Sequence, residues 1–498
     1  MEGFDSWVLF STVLIPFAAV AIILLIPGER QRELKSVSVV AAVLALAASV
    51  YVFFAYDYST GGLQLTGQFE WLNALGVSYH QGVDGLAVPM ILLTGVVFLT
   101  GTLISFNVTR SPKEYFVLLL LLVAGVFGVF VSLDLFFFFF FFELAVLPMY
   151  MLIGIWGSSS DFGTFLRPKE YGAMKLVLYL VAGSVLVWIA LIAVYIESPV
   201  KTFDLILLKE VAFSREFQLV FFPLFMIGFG ILAGLWPFHT WSPDGHVAAP
   251  TAVSMLHAGV LMKLGAFGII RVGLELFPEG AQAWMPVLIG LGTVNVIYGA
   301  ISAIGQSDLK YVVGYSSVSH MGYVLMGIAT LEPLGVSGAV LQMFSHGIMT
   351  ALFFALVGAI YDRTHIRDIT ILEGLGKKMG VTAAFFGIAG LTSLGLPGLS
   401  GFVAELLVFI GLFRTYPVLA ILGIIGAAIT AIYILRLLGK VFFGPISKEW
   451  DHLPDLSKTE GFATGILVLF LVGVGLYPLP IMQMINSGVA TLLVRVLG

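Results

Sequence analysis

The chain has 498 residues, 59% of them hydrophobic and only 11% charged, with a formal net charge of -5. A soluble globular chain carries about 25% charged residues, so this composition points to an all-α polytopic membrane protein; without a basic patch, nucleic-acid binding is excluded. There is no cysteine, which excludes disulfides, thiolate-ligated iron–sulfur clusters and thiol chemistry. Any redox reaction the chain serves therefore belongs to other chains, and no cofactor is expected in this one.

About 20 apolar residues cross the hydrocarbon core as a helix. By that measure fourteen spans are expected, near 8–27, 36–56, 84–106, 114–132, 134–155, 171–195, 218–236, 250–273, 283–302, 310–331, 336–360, 381–412, 417–440 and 461–482. The first follows Glu2 and Asp5, not a basic cluster, and so reads as a span and not as a cleaved signal. If the N-terminus faces outward, sixteen of the 24 Lys and Arg fall in inner loops. Six are outer: Lys201, Lys209, Arg215, Arg271, Arg414 and Arg495. Lys175 and Lys263 remain in the membrane. That asymmetry places both termini outside.

Two spans are interrupted. After the seventh, Pro237, Pro243 and Pro250 break the stretch WPFHTWSPDGHVAAPTAVSMLHAGVLMK (236–263). In the twelfth, Gly395, Pro397, Gly398 and Gly401 crowd SLGLPGLSGF (393–402). The breaks lie five spans apart. An odd repeat length inverts the second unit, and paired broken helices in inverted repeats point to a transport path. The expected organisation is three N-terminal helices (1–106), a first five-helix repeat (107–273), a second (274–440), and a last helix with its tail (441–498).

Ionisable residues at membrane depth are functional candidates by default. Glu143 stands alone among apolar neighbours in the fifth span, after the Phe136–Phe142 run, which reads as packing and lipid-facing surface. Lys175 lies about one turn into the sixth span, where it either snorkels to the interface or pairs with Glu143. Lys263 has about two apolar turns on each side, too deep to snorkel. His257 precedes it by six residues, about 600° of helix rotation, so the two do not share a face. His320 and His346 lie in successive spans among Ser316, Ser317 and Ser319, a composition that holds water and relays protons. Glu405 follows the second break. No metal-ligand spacing, phosphate loop or Ser–His–Asp signature occurs.

Five segments carry a resemblance: FFELAVLPMYMLIGIWG (141–157), PFHTWSPDGHVAAPTAVSMLHAGVLMKLGAFGIIR (237–271), SDLKYVVGYSSVSHMGYV (307–324), FSHGIMTALFF (344–354) and LPGLSGFVAELLVF (396–409). Together they resemble the antiporter-like subunits of respiratory complex I (NADH-quinone oxidoreductase), in the chain M or subunit 4 branch. The resemblance implies fourteen helices with two inverted five-helix repeats and discontinuous helices 7 and 12. It implies a bacterial inner-membrane subunit that couples quinone reduction elsewhere to proton pumping. Homologous membrane chains would lie on either side, and a peripheral NADH and iron–sulfur arm would be reached indirectly. Carried over by position, Glu143, Lys175, Lys263 and Glu405 resemble the family's acid or lysine of helices 5, 6, 8 and 12. His320 and His346 match its central histidines.

One position departs. The family places a lysine nine residues before Trp241, where this chain has Leu232, and no lysine occurs in 217–236. His257 resembles a histidine of the related chain L and is the candidate substitute. Two other readings stand beside the first: a subunit of a multi-subunit Na⁺/H⁺ antiporter, which shares the fold, and a non-conducting structural subunit.

Overall fold

The computed structural model describes residues 3–161 and 166–498. Its helices follow the apolar runs. They are α1 (Phe4–Leu25), α2 (Gln31–Ala55), α3 (Ala87–Ile104), α4 (Pro112–Val131), α5 (Leu135–Trp156) and α6 (Lys169–Glu197). A short helix α7 (Leu205–Lys209) follows. The seventh crossing is made by α8 (Arg215–Ala233) and, after the break, α9 (Trp241–Ala248). The eighth is α10 (Thr251–Leu256), a π-helical turn (His257–Leu261), α11 (Met262–Gly268) and a second π-helical turn (Ile269–Leu274). Next come α12 (Pro278–Ile304), α13 (Leu309–Ala329) and α14 (Pro333–Thr364). The twelfth crossing is split into α15 (Gly380–Ser393) and α16 (Ser400–Thr415). Then follow α17 (Pro417–Phe442), α18 (Lys458–Leu476) and α19 (Leu479–Leu497).

The crossings sort into a centre and a lipid-facing rim. The apolar windows of α10–α11 and of α14 are 100% buried inside the protein, against 33–39% for α1, α2, α6 and α17. Among the described residues thirteen helices are long and apolar enough to span. The tenth crossing, α13, is not among them, because Lys310, Tyr311, Tyr315, three serines and His320 lower its hydropathy. It is nevertheless buried along nearly its whole length. Polar residues are thus concentrated where protein, and not lipid, surrounds the helix.

Two elements differ from the sequence reading. The stretch 57–83, left between the second and third expected spans of an all-α chain, contains an antiparallel hairpin of β1 (Gln64–Leu72) and β2 (Val77–Val83). It sits on the face that carries the N-terminus. His80 Nδ1 lies 2.7 Å from Asp204 Oδ2, and Gln81 Nε2 donates to the Ser6 carbonyl at 2.7 Å. The expected span 461–482 ends at Leu476, and α19 is separate. It is apolar enough to cross, yet it lies across the N-terminal face. Met484 and Gly488 pack on Gly85, Asn486 accepts from Ser337 at 2.8 Å, and the Val496 carbonyl accepts from Gln282 at 2.6 Å. Those partners stand at the ends of α3, α14 and α12 on one side of the bundle. Five crossings lie between α3 and α12 and one between α12 and α14, and their alternating direction puts all three helix starts on that side.

Asp204 also caps α7, accepting from the Ile206 and Leu207 amides at 2.8 and 3.3 Å. Burial raises its carboxyl pKa, but His80 and these amides outweigh it and hold the group below the ordinary carboxylate value. A depressed folded value stabilises above the unfolded pKa of about 3.9, and the contribution is lost as pH falls through the folded value. The hairpin is therefore expected to lose amide-exchange protection below about pH 4. Asp204→Asn is expected to lose it, by about 1 kcal/mol, already at pH 7, with the acid step abolished.

Candidate functional site

The centre of the bundle holds a line of ionisable side chains on four helices. Lys263 on α11 is 0% exposed, and its Nζ donates to the Ala258 carbonyl in the π-helical turn. Wider π-helical turns are frequent at functional sites. Its other partner is His346 on α14, whose Nδ1 lies 2.8 Å from Nζ. When Lys263 is protonated its ammonium has only donors, so Nδ1 accepts and the His346 proton is then on Nε2, an atom without a hydrogen-bond partner. Among the described residues no carboxylate pairs with Lys263.

From His346 the line continues through α13. The rings of His346 and His320 are 5.4 Å apart between centroids. His320 Nε2 lies 2.8 Å from Ser393 Oγ at the end of α15, and its Nδ1 lies 3.2 Å from Gln342 Nε2. Glu405 Oε1 on α16 is 3.3 Å from His320 Nδ1, off the hydrogen-bonding direction. The second break holds this end. Gly395 has φ +64°, and a Cβ there would approach Glu405 Oε2 to 2.8 Å, so both backbone and carboxylate require glycine. Ser345 and Ser400 hydroxyls meet at 2.7 Å across the start of α16.

The other sequence candidates fall elsewhere. Glu143 and Lys175 do not pair. Glu143 on α5 is half-buried, faces Ser184 of α6, and leaves Oε1 without a partner. Ser184 is nine residues beyond Lys175, about 13 Å along the helix. Lys175 turns to the opposite face of the bundle, where its Nζ lies 2.8 Å from Asp244 Oδ2. Leu232 is buried, 1% exposed, on α8, whose Phe229 meets Phe138 and Phe142 of α5. His257 and Lys263 do take different partners: His257 stacks on Trp241 and His246. Three charges expected in loops are buried. Arg271 is bound to Asp84 and Glu275 at 2.7 and 2.8 Å; Lys310 donates to the Ala249 carbonyl at 2.7 Å; Arg367 pairs with Asp308 at 3.1 Å.

Sequence reasoning missed Asp244, His246, Ser393 and Gln342. Asp244 had a usable signal, being a carboxylate between prolines in a broken membrane segment. Ser393 and Gln342 had none, since serine and glutamine become relay partners only through packing. Among the described residues no three His, Asp or Glu side chains converge to hold a metal.

Residues 132–430 match the family described as NADH:quinone oxidoreductase/Mrp antiporter, TM. The chain belongs to this family. The NAD(P)H-quinone oxidoreductase chain 4 of Acaryochloris marina is 38% identical over 97% of this chain and 92% of its own length. The structure of respiratory complex I from Thermus thermophilus with bound NADH contains a chain of the same fold. It has a TM-score of 0.88 and 28% identity, covering 98% of this chain and 99% of that one. The Mrp complex from Dietzia sp. contains another, with a TM-score of 0.86 at 21% identity over 100% of both chains, a likeness of fold. Within the family, the two breaks of this chain flank the Lys263–His346–His320–Glu405 line.

Proposed function

We propose that this chain is a proton-translocating, antiporter-like membrane subunit of a respiratory NADH:quinone oxidoreductase, coupling quinone reduction in other subunits to proton transfer across the membrane. The observation that carries the reading is the buried run from Lys263 through His346 and His320 to Glu405, four groups that each bind and release protons. Protons enter on the inner side near the first break, reach Lys263, move laterally through the two histidines and leave beyond Glu405. Electrons do not pass through this chain, which carries no cofactor of its own. Its neighbours are homologous membrane chains, and the peripheral arm acts on it through them. The bias of Lys and Arg toward one set of loops supports a bacterial inner membrane with both termini on the periplasmic side.

Purification of the tagged chain tests the assembly. Peripheral subunits bearing iron–sulfur clusters are expected to accompany it, and in proteoliposomes NADH oxidation should move protons. Recovery with membrane homologues alone, together with Na⁺-dependent proton exchange without any electron donor, would replace this reading by the antiporter one.

A further inference from the structure

Among the described residues Glu143 has no cationic partner. It faces Ser184 of α6, and α8 carries Leu232 at the position where a lysine was expected. The lysine that α6 does carry is held by Asp244, with side-chain exposures of 19% and 7%. The same carboxylate accepts from Arg167 at 2.5 Å and from the Tyr311 hydroxyl at 2.8 Å. Lys175 and Arg167 precede the first break and Tyr311 opens α13, so one acid joins both halves of the molecule.

Asp244 stands in α9, an eight-residue helix between the break and Pro250. Two residues on, His246 stacks against His257 with ring centroids 3.9 Å apart, and Trp241 and Phe354 cover the outer faces of that pair at 5.1 Å each. Both histidines are 0% exposed, and none of their four ring nitrogens has a hydrogen-bond partner. Unpaired buried polar atoms are costly, so a merely structural stack would favour phenyl rings at both positions. His257 opens the π-helical turn that ends one residue before α11, which carries Lys263.

We infer that Lys175–Asp244 is the ion pair that biases Lys263 in this chain, with Asp244 as a positioning residue. Its carboxylate holds α9, and with it the His246–His257 stack, against the helix of Lys263. When Lys175 leaves Asp244, the carboxylate keeps Arg167 and Tyr311, and the stack moves relative to Lys263. This rests on the proton-transfer reading above.

The test uses the assembled complex in proteoliposomes and measures protons moved per electron. Lys175→Met, Asp244→Asn and the exchanged pair Lys175→Asp with Asp244→Lys are compared with Lys263→Met. Lys175→Met and Asp244→Asn are each expected to lose the share of the ratio that Lys263→Met loses, and the exchanged pair to regain at least half of it. Lys175→Met leaves Asp244 bound by Arg167 and Tyr311, so it folds even where Asp244→Asn does not. A full ratio in Lys175→Met beside a lowered one in Lys263→Met would overturn this inference alone. A full ratio in Lys263→Met would overturn the proton-transfer reading itself.

Discussion

Replacing Lys263 by methionine is expected to stop proton transfer through this chain while the complex still assembles. The ammonium is fully buried with one carbonyl and one imidazole for company and no carboxylate. A buried ammonium without a counter-charge is costly to keep, and methionine is apolar and of similar length, so assembly should survive. What is lost is the proton-binding group that stands next to His346 in the buried line. Lys263→Arg sharpens the expectation. A guanidinium keeps the positive charge but does not release its proton in a protein. If Lys263 works by exchanging protons, Arg fails as completely as Met; if it works as a fixed charge, Arg retains function. Protons per electron in proteoliposomes, measured against quinone reduction in the same vesicles, separate the two outcomes.

Arg271→Met is expected to act on stability instead. The guanidinium is 2% exposed and bridges Asp84, before α3, to Glu275, after the eighth crossing. Lys209 reaches Glu275 from α7, and Arg495 of α19 donates to the Glu275 carbonyl at 3.3 Å. Removing the arginine strands the Asp84 carboxylate and leaves Glu275 to Lys209 alone; breaking a buried pair typically costs about 3–5 kcal/mol. The yield of assembled complex and its thermal inactivation temperature should both fall. Asp84→Asn in the same chain should recover most of the loss, because Glu275 keeps Lys209 and the uncompensated charge is then gone. Failure of the double variant to recover would mean that Arg271 contributes by packing over Phe267, whose ring centroid is 5.1 Å from its Cζ.

The two breaks were legible because proline and glycine act locally. Pro237 and the crowd from Gly395 to Gly401 interrupt helices whatever surrounds them. The candidates Lys263, His320, His346 and Glu405 were legible one at a time, as ionisable residues where lipid would forbid them. Their order was less so: packing places His346, not His320, against the lysine. Glu143 and Lys175 show the opposite case. Each stood out alone, and pairing them was reasonable from helix adjacency, but the level at which each side chain sits along α6 separates them. Asp244, the partner Lys175 does find, is 69 residues away in the chain.

The sequence by itself determined the membrane class, the crossings and the places where they break, because spanning a bilayer is a property of each 20-residue stretch and its backbone bonding. It did not determine which of two apolar runs near the C-terminus crosses. Leu479–Leu497 has the composition of a span, and only its contacts with Gly85, Gln282 and Ser337 lay it across one face. Nor did it determine the charge pairs. Arg271 with Asp84, Lys175 with Asp244 and Lys263 with His346 are decided by which helices the fold brings together, since a buried charge must find its partner across whatever length of chain separates them.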